Sequence, residues 1–179
     1  VILGYEGLTS CDPQAACDIA IAPVADDFTV LHELAHLWSN IYARRWLSEG
    51  FAELLAGEAA ARLPPGLVQG APLSRPQSAQ DLRLDQWGDV TSIIAASDAE
   101  RATEDAGYDR SQRFLLLLRA QVGLEKLQEA NSTIAQGGQP ADSRRFMDTL
   151  EDVSGQNLDR LFAQWVFPDS LAPTLEARR

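Results

Sequence analysis

The two histidines of the chain lie four residues apart, with a glutamate between them, in His32-Glu33-Leu34-Ala35-His36. On a helix, side chains at positions i and i+4 project from one face, so both imidazoles can bind the same cation. Glu33 then lies next to the metal, where it can take a proton from a water at an open coordination position. The pattern therefore predicts metal-assisted hydrolysis at one Zn²⁺ ion, with His32 and His36 as ligands and Glu33 as general base. The alternative is that the spacing is accidental, but unpaired imidazoles on so apolar a helix would be destabilising.

A third ligand is available in residues 46–53, WLSEGFAE, at the start of a second helical pattern. An antiparallel helix pair with a short connection would bring Glu49 back to His32 and His36. A carboxylate framed by apolar side chains needs a partner, which favours Glu49 as the third ligand. Glu53 lies one turn later on the same face and is predicted to accept a hydrogen bond from the far nitrogen of a ligating histidine. The alternative for Glu53 is a solvated surface glutamate.

These segments resemble those of a known family. Residues 32–38, HELAHLW, are similar to HELAHxW, and residues 46–52, WLSEGFA, are similar to WLNEGFA. Both motifs belong to the aminopeptidase N-like gluzincins and their smaller bacterial relatives, the peptidase MA-like proteins. Residues 108–118 resemble the family's Tyr-Glu-Lys-Gly and the apolar helix after it, and residues 146–165 resemble its late segment F…LE..SG..L…F..W. The similarity covers most of residues 19 to 167, in the family's order.

The resemblance implies a zinc-dependent peptidase of the HExxH…E type acting on a peptide or protein substrate. It also implies that Tyr108 donates a hydrogen bond to the oxyanion of the tetrahedral intermediate. The alternative for Tyr108 is a residue that caps the following helix. By the same resemblance, Ala20, Ile21 and Ala22 form the edge strand on which a peptide is laid by backbone pairing. The alternative for this strand is a purely structural role in the core.

The chain departs from the family in several places. Only twelve residues separate His36 from Glu49, fewer than in the aminopeptidases. No GxMEN segment, which grips the free amine of an aminopeptidase substrate, is recognisable before His32. Ser48 replaces an asparagine, and residues 109–111 replace Glu-Lys-Gly. The comparison therefore supports a peptidase without supporting specificity for amino termini.

The fold implied is mainly α (α+β), a thermolysin/aminopeptidase N-like zincin catalytic domain with a small N-terminal β element and a helical C-terminal portion. Length and composition predict one domain over residues 1–179. Its predicted parts are a β element with strands at 1–3 and 19–22 and a loop between them (1–26), a metal-binding helix pair (27–62), a loop-rich excursion (63–107), a helical portion (108–167) and a tail (168–179). Predicted helices run over about 27–42, 47–62, 108–121, 124–135, 143–152 and 158–166.

Charge excludes two classes of partner. Acidic residues outnumber basic ones 26 to 15, which gives a net charge of −11. Nucleic-acid binding and docking on an anionic membrane both need clustered Lys and Arg, so we expect neither. Cys11 and Cys17 are close enough in sequence for a small disulfide, typical of oxidising compartments, although two free thiols are the alternative. We therefore expect an extracytoplasmic location, secreted, periplasmic or anchored outside, with any signal or anchor not contained in this chain.

Three functions are compatible with these patterns. The favoured one is a zinc-dependent peptidase. The others are a peptidase-like binding or scaffolding domain without turnover, and a zinc hydrolase acting on a non-peptide substrate. The retained Glu33 favours an enzyme, because a site that only binds metal has no use for a base.

Overall fold

The computed structural model describes residues 6–11, 17–69, 82–90 and 97–167. These ranges contain two strands, six α-helices and a short 3₁₀ turn: β1 (Gly7–Cys11), β2 (Cys17–Ile21), α1 (Asp27–Ser39), α2 (Arg45–Arg62), the 3₁₀ turn (Leu84–Trp87), α3 (Asp98–Val122), α4 (Leu124–Gln136), α5 (Ser143–Ser154) and α6 (Asp159–Trp165). The fold is mainly helical with a small β element, as predicted. No helix in these ranges is long and apolar enough to cross a membrane.

The two strands form an antiparallel pair in which Gly7 lies opposite Ile21 and Cys11 lies opposite Cys17. The two cysteines are joined in a disulfide, as predicted. The expectation of a loop at residues 7–11 was wrong, because this segment is β1. Its sequence, GLTSC, has little alternation of its own, and its strand form depends on pairing with β2 and packing against α1. The other predicted strand, at residues 1–3, lies outside the described ranges.

The helix pair that was predicted to bind the metal consists of α1 and α2. Asp26 caps α1, because its side chain accepts a hydrogen bond from the backbone N–H of Thr29 at 2.7 Å. The predicted helix to Tyr42 was too long, since α1 ends at Ser39. Beyond that point the backbone bonds to another segment: Ala43 N–H donates to the carbonyl of Ala141 at 2.9 Å. Residues 40–44 therefore connect α1 to α2 and do not continue the helix.

α3 begins ten residues before the predicted start at 108, so the last part of the loop-rich excursion is helical. Its start is a capping box in which Ser97 and Glu100 exchange hydrogen bonds between side chain and backbone. The first turns are largely exposed, and they therefore lack the apolar periodicity by which the rest of α3 was predicted. The bounds of α4, α5 and α6 agree with prediction within two residues.

An aromatic cluster anchors α2 in the core. Trp46 is completely buried, with its ring centroid 5.5 Å from that of Phe114 and 6.0 Å from that of Phe146. Its indole N–H donates to Ser143 Oγ at 2.9 Å, and that hydroxyl donates to Asp85. A buried indole with a satisfied N–H is held in one orientation. Because Trp46 is fixed in this way, the position of Glu49 one turn later is fixed as well.

Candidate metal centre

Three side chains from α1 and α2 converge on one point. The Nε2 atoms of His32 and His36 are 3.2 Å apart, and Glu49 Oε2 lies 3.2 Å from His32 Nε2 and 3.6 Å from His36 Nε2. A tetrahedral zinc site with bonds of 2.0–2.1 Å places its ligand atoms about 3.3 Å apart. The donors and their spacing therefore fit one Zn²⁺ ion. In the part of the chain that the structure describes, this trio is the group whose side chains could hold a metal.

The far nitrogens of both histidines also face polar groups. Glu53, which is 2% exposed, has Oε1 3.5 Å from His32 Nδ1, so the structure brings it to the predicted position. His36 Nδ1 lies 3.1 Å from Ser39 Oγ and 3.4 Å from Ser48 Oγ. Partners on the far nitrogen orient an imidazole and increase its basicity as a ligand. Ser39 and Ser48 were not predicted in this role, although Ser39 follows His36 by three residues on the same helix.

The electrostatics of this group favour a cation. Burial alone would lower the pKa of His32, but its hydrogen bond to Glu49 and the charges of Glu49, Glu53 and Glu33 raise it above the ordinary value of 6.5. Burial alone would raise the pKa of Glu49, but hydrogen bonds to both histidines and their charges hold it well below the ordinary value of 4.5. Three carboxylates around two imidazoles thus create a site that favours positive charge, whether from a proton or from a metal ion.

Glu33 is held by β1. It is 6% exposed, and Thr9 Oγ lies 2.7 Å from its Oε2 and 2.9 Å from its backbone carbonyl. Gly7 passes directly over it, since a Cβ built on Gly7 would lie 2.5 Å from Glu33 Cγ. Neither residue was predicted, because no local pattern connects a strand residue to a side chain more than twenty positions away.

Tyr108 lies in α3, close to the metal trio. Burial, together with the charge of and hydrogen bond to Glu49, raises its pKa well above 10, while Arg45 acts in the opposite direction. The phenol lines the same cleft as Glu49 and Arg45 and stays protonated at neutral pH. The alternative of a helix-capping tyrosine does not hold, because Ser97 caps α3 eleven residues earlier.

A cleft of about 340 Å³ brings these groups together, with His32, Glu33, Glu49 and Tyr108 in its wall. One side is formed by β1, residues 7–11. Ala20, Ile21 and Ala22 do not line it, so the strand beside the metal centre is β1 rather than the one predicted. The resemblance assigned the substrate strand to residues 20–22, whereas residues 7–11 are the ones that line the cleft.

A larger cavity of about 530 Å³ lies between α1, α2 and α4. Its lining is mostly apolar, with Leu34, Trp38 and Leu127 among the contributing side chains, and it includes no titratable group. Of these two cavities, only the smaller cleft is lined by titratable side chains.

In comparisons with known proteins, no family model matches the chain, and neither a curated protein nor a solved structure matches it. The family assignment remains a prediction from the motifs.

Proposed function

We propose that the protein is a zinc-dependent peptidase of the gluzincin type, similar to the aminopeptidase N-like and peptidase MA-like proteins. The observation that carries this proposal is the convergence of His32, His36 and Glu49 within 3.2–3.6 Å, with Glu33 in the same cleft. Two imidazoles and one carboxylate are a common ligand set of catalytic zinc in peptidases.

A bound Zn²⁺ ion would polarise the scissile carbonyl and acidify the attacking water. Glu33 is the residue that accepts the proton of that water and then delivers it to the nitrogen of the departing amine. Its carboxylate is held by Thr9, so it needs little reorganisation before it acts. The buried Glu53 orients the imidazole of His32, and Ser39 and Ser48 orient the imidazole of His36.

Tyr108 supplies the hydrogen bond to the developing oxyanion. Its raised pKa keeps the phenol protonated at neutral pH, so it can donate a hydrogen bond. A positioned donor in a site with little water stabilises a transition state by about 3–4 kcal/mol. Tyr108 and Glu33 therefore have complementary roles on the same substrate.

The substrate is proposed to be an extended peptide or protein segment laid along β1. In the described part of the chain, the sheet has only the strands β1 and β2, so β1 is paired through one edge. β1 also lines the cleft, and peptides commonly bind by adding a strand to such an edge. The disulfide between Cys11 and Cys17 supports the proposal of an extracytoplasmic location.

The test is hydrolysis of a mixed peptide library, followed by mass spectrometry, with zinc-loaded wild type and Glu33→Gln. Loss of the general base should slow cleavage about 10²–10⁴-fold without removing zinc. Glu58→Gln is a matched control on α2, since Glu58 pairs with Arg119 and Arg62 at the surface. Bound zinc with no Glu33-dependent cleavage would contradict the peptidase proposal and favour a binding domain.

A further inference from the structure

The proposed oxyanion donor packs against a tryptophan from another element. The ring of Tyr108, in α3, meets the indole of Trp87 edge to face, with ring centroids 5.0 Å apart and an angle of 72° between the planes. Trp87 ends the 3₁₀ turn and is 5% exposed. Aromatic pairs prefer such edge-to-face arrangements, so a buried neighbour restricts the plane of the tyrosine ring. The contact with Trp87 therefore affects the direction in which the phenol points.

The same indole lies directly on the backbone of α3, at the residue before Tyr108. This residue is Gly107, and a Cβ at this position would overlap the indole atoms Cδ2 and Cε2 of Trp87. Glycine is unfavourable in the interior of a helix. What it permits here is the close approach of Trp87 to the helix that carries Tyr108.

Trp87 also contacts α2, the helix that carries the proposed ligand Glu49. Cζ of Arg45 lies 4.8 Å from the ring centroid of Trp87, and the backbone N–H of Arg45 donates to the carbonyl of Gly88 at 3.1 Å. Arg45 begins α2 and precedes Glu49 by four residues. The indole therefore lies between the start of α2 and the part of α3 that contains Tyr108.

The two helices are in direct contact further along. At Gly50 they pack without a spacer, because a Cβ there would lie 3.3 Å from Cβ of Ser111 in α3. At the start of α2, by contrast, the indole of Trp87 separates them. Glu49 and Tyr108 both line the cleft. The size of the indole therefore influences the distance between the carboxylate on α2 and the phenol on α3.

We propose that Trp87 is a positioning residue for Tyr108, whose indole places the phenol where it can donate a hydrogen bond to the oxyanion. This inference rests on the role of Tyr108 in the proposed function. Among the described side chains, those that line the cleft include Tyr108 but not Trp87, so Trp87 acts through the tyrosine. Tyr108 has further interactions, and loss of the indole should therefore displace the phenol without releasing it.

The test is kcat for cleavage of a peptide from the library by zinc-loaded variants, in steady-state kinetics. Trp87→Leu should lower kcat about tenfold, because small displacements of a catalytic group have large effects, with KM within about twofold and zinc content unchanged. Trp87→Phe keeps an aromatic ring against Tyr108. It loses no hydrogen bond, since the indole N–H has no partner in the described part of the chain, and kcat should stay within about threefold of wild type.

Trp165→Leu is the matched control. Trp165 also packs on α3, where its ring stacks on that of Phe114 at 5.8 Å, and Arg110 Cζ lies 5.0 Å from its centroid. Its kcat should stay within about twofold of wild type. Gly107→Ala keeps the tryptophan, favours the helix and pushes the indole away, so it should lower kcat in the same direction as Trp87→Leu. This variant decides the matter if Trp87→Leu does not fold.

A double-mutant cycle with Tyr108→Phe separates positioning from a general effect on the fold. Without the hydroxyl there is no donor to place, so Trp87→Leu or Gly107→Ala should change the kcat of Tyr108→Phe by less than about twofold. An equal loss of kcat in both backgrounds would overturn the inference. So would wild-type kcat in folded Trp87→Leu or in Gly107→Ala, and this result would leave the peptidase proposal intact. Zinc-loaded wild type that cleaves no peptide would instead overturn both proposals, so the two failures are distinguishable.

Discussion

The hydroxyl of Thr9 lies 2.7 Å from Oε2 of Glu33, so the proposed general base is held by a strand that precedes it by more than twenty residues. The same oxygen lies 2.9 Å from the backbone carbonyl of Glu33. A hydroxyl has one proton, which it can donate to either acceptor. Both acceptors belong to one residue, and the contact therefore fixes the orientation of the Glu33 side chain.

Thr9→Val removes this hydrogen bond and keeps the shape of the side chain. We expect kcat for peptide cleavage to fall about tenfold, since a net hydrogen bond to a charged group contributes about 1.5–3 kcal/mol and part of this is recovered by water. KM and zinc content should stay unchanged. Thr9→Ser retains the hydroxyl and is the matched control. Equal kcat values for the valine and serine variants in steady-state kinetics would show that Thr9 does not act through Glu33.

Gly7→Ala places a methyl group 2.5 Å from Glu33 Cγ, a separation that atoms do not tolerate. Either β1 or Glu33 has to move, and we expect kcat to fall about tenfold or more, because small misplacements of catalytic groups have large effects. Gly57→Ala is the control, since its Cβ meets nothing within 4 Å and alanine favours the interior of α2. Steady-state kinetics of both variants measure this change in kcat. An unchanged kcat in Gly7→Ala would mean that Glu33 does not need its present position.

If His32 and His36 bind zinc as proposed, zinc should stabilise the folded protein. At a zinc concentration about 100-fold above the dissociation constant, binding stabilises the folded state by about 2.7 kcal/mol, which for a chain of this size raises Tm by about 5–10 °C. His36→Ala removes one ligand, and its Tm should then respond to zinc by less than about 2 °C. Differential scanning fluorimetry with zinc and with chelator measures both shifts. An equal zinc response in wild type and His36→Ala would place the metal elsewhere.

The metal-free protein should show a characteristic pH dependence. The lowered pKa of Glu49 contributes stability above its ordinary value of 4.5, and this contribution is lost as pH falls. The raised pKa of His32 contributes stability below its ordinary value of 6.5, and this is lost as pH rises through the raised value. The pair of His32 and Glu49 is therefore most stabilising between pH 4.5 and pH 6.5, which are the ordinary pKa values of the two groups.

Urea unfolding with chelator present tests this dependence. The difference in free energy of unfolding between wild type and Glu49→Gln should be larger at pH 5.5 than at pH 8.5, by about 1 kcal/mol. A difference that grows with pH would show that His32 and Glu49 do not form a charged pair in the metal-free protein.

The three candidate metal ligands could be predicted because the pattern that identifies them lies within a short stretch of the sequence. His32 and His36 share a helical face by their spacing alone, and Glu49 follows in the next helical pattern. The structure places these three side chains together, with Glu53 beside His32. Helical periodicity also located α2, α4, α5 and α6 within two residues at each end.

The residues around the trio were not predictable, because they come from distant parts of the chain. Arg45 interrupts an apolar pattern in the sequence, yet it is buried and pairs with Glu104, fifty-nine residues away. Glu104 lies in a stretch predicted as loop. The capping box at Ser97 was the available signal for helix there, but the exposed turns after it carry no apolar stripe. Likewise, nothing local distinguishes β1 from a loop, since its partner decides its form.

Elemental analysis shows whether His32, His36 and Glu49 hold one zinc ion. Wild type and Glu49→Ala are dialysed against zinc, passed over a desalting column and measured for zinc per chain. We expect one zinc ion per wild-type chain and less than about one fifth of that in Glu49→Ala, because a site reduced from three protein ligands to two binds zinc much more weakly and loses it on the column. A folded wild-type protein that retains no zinc, or a Glu49→Ala variant that retains as much as wild type, would contradict this expectation.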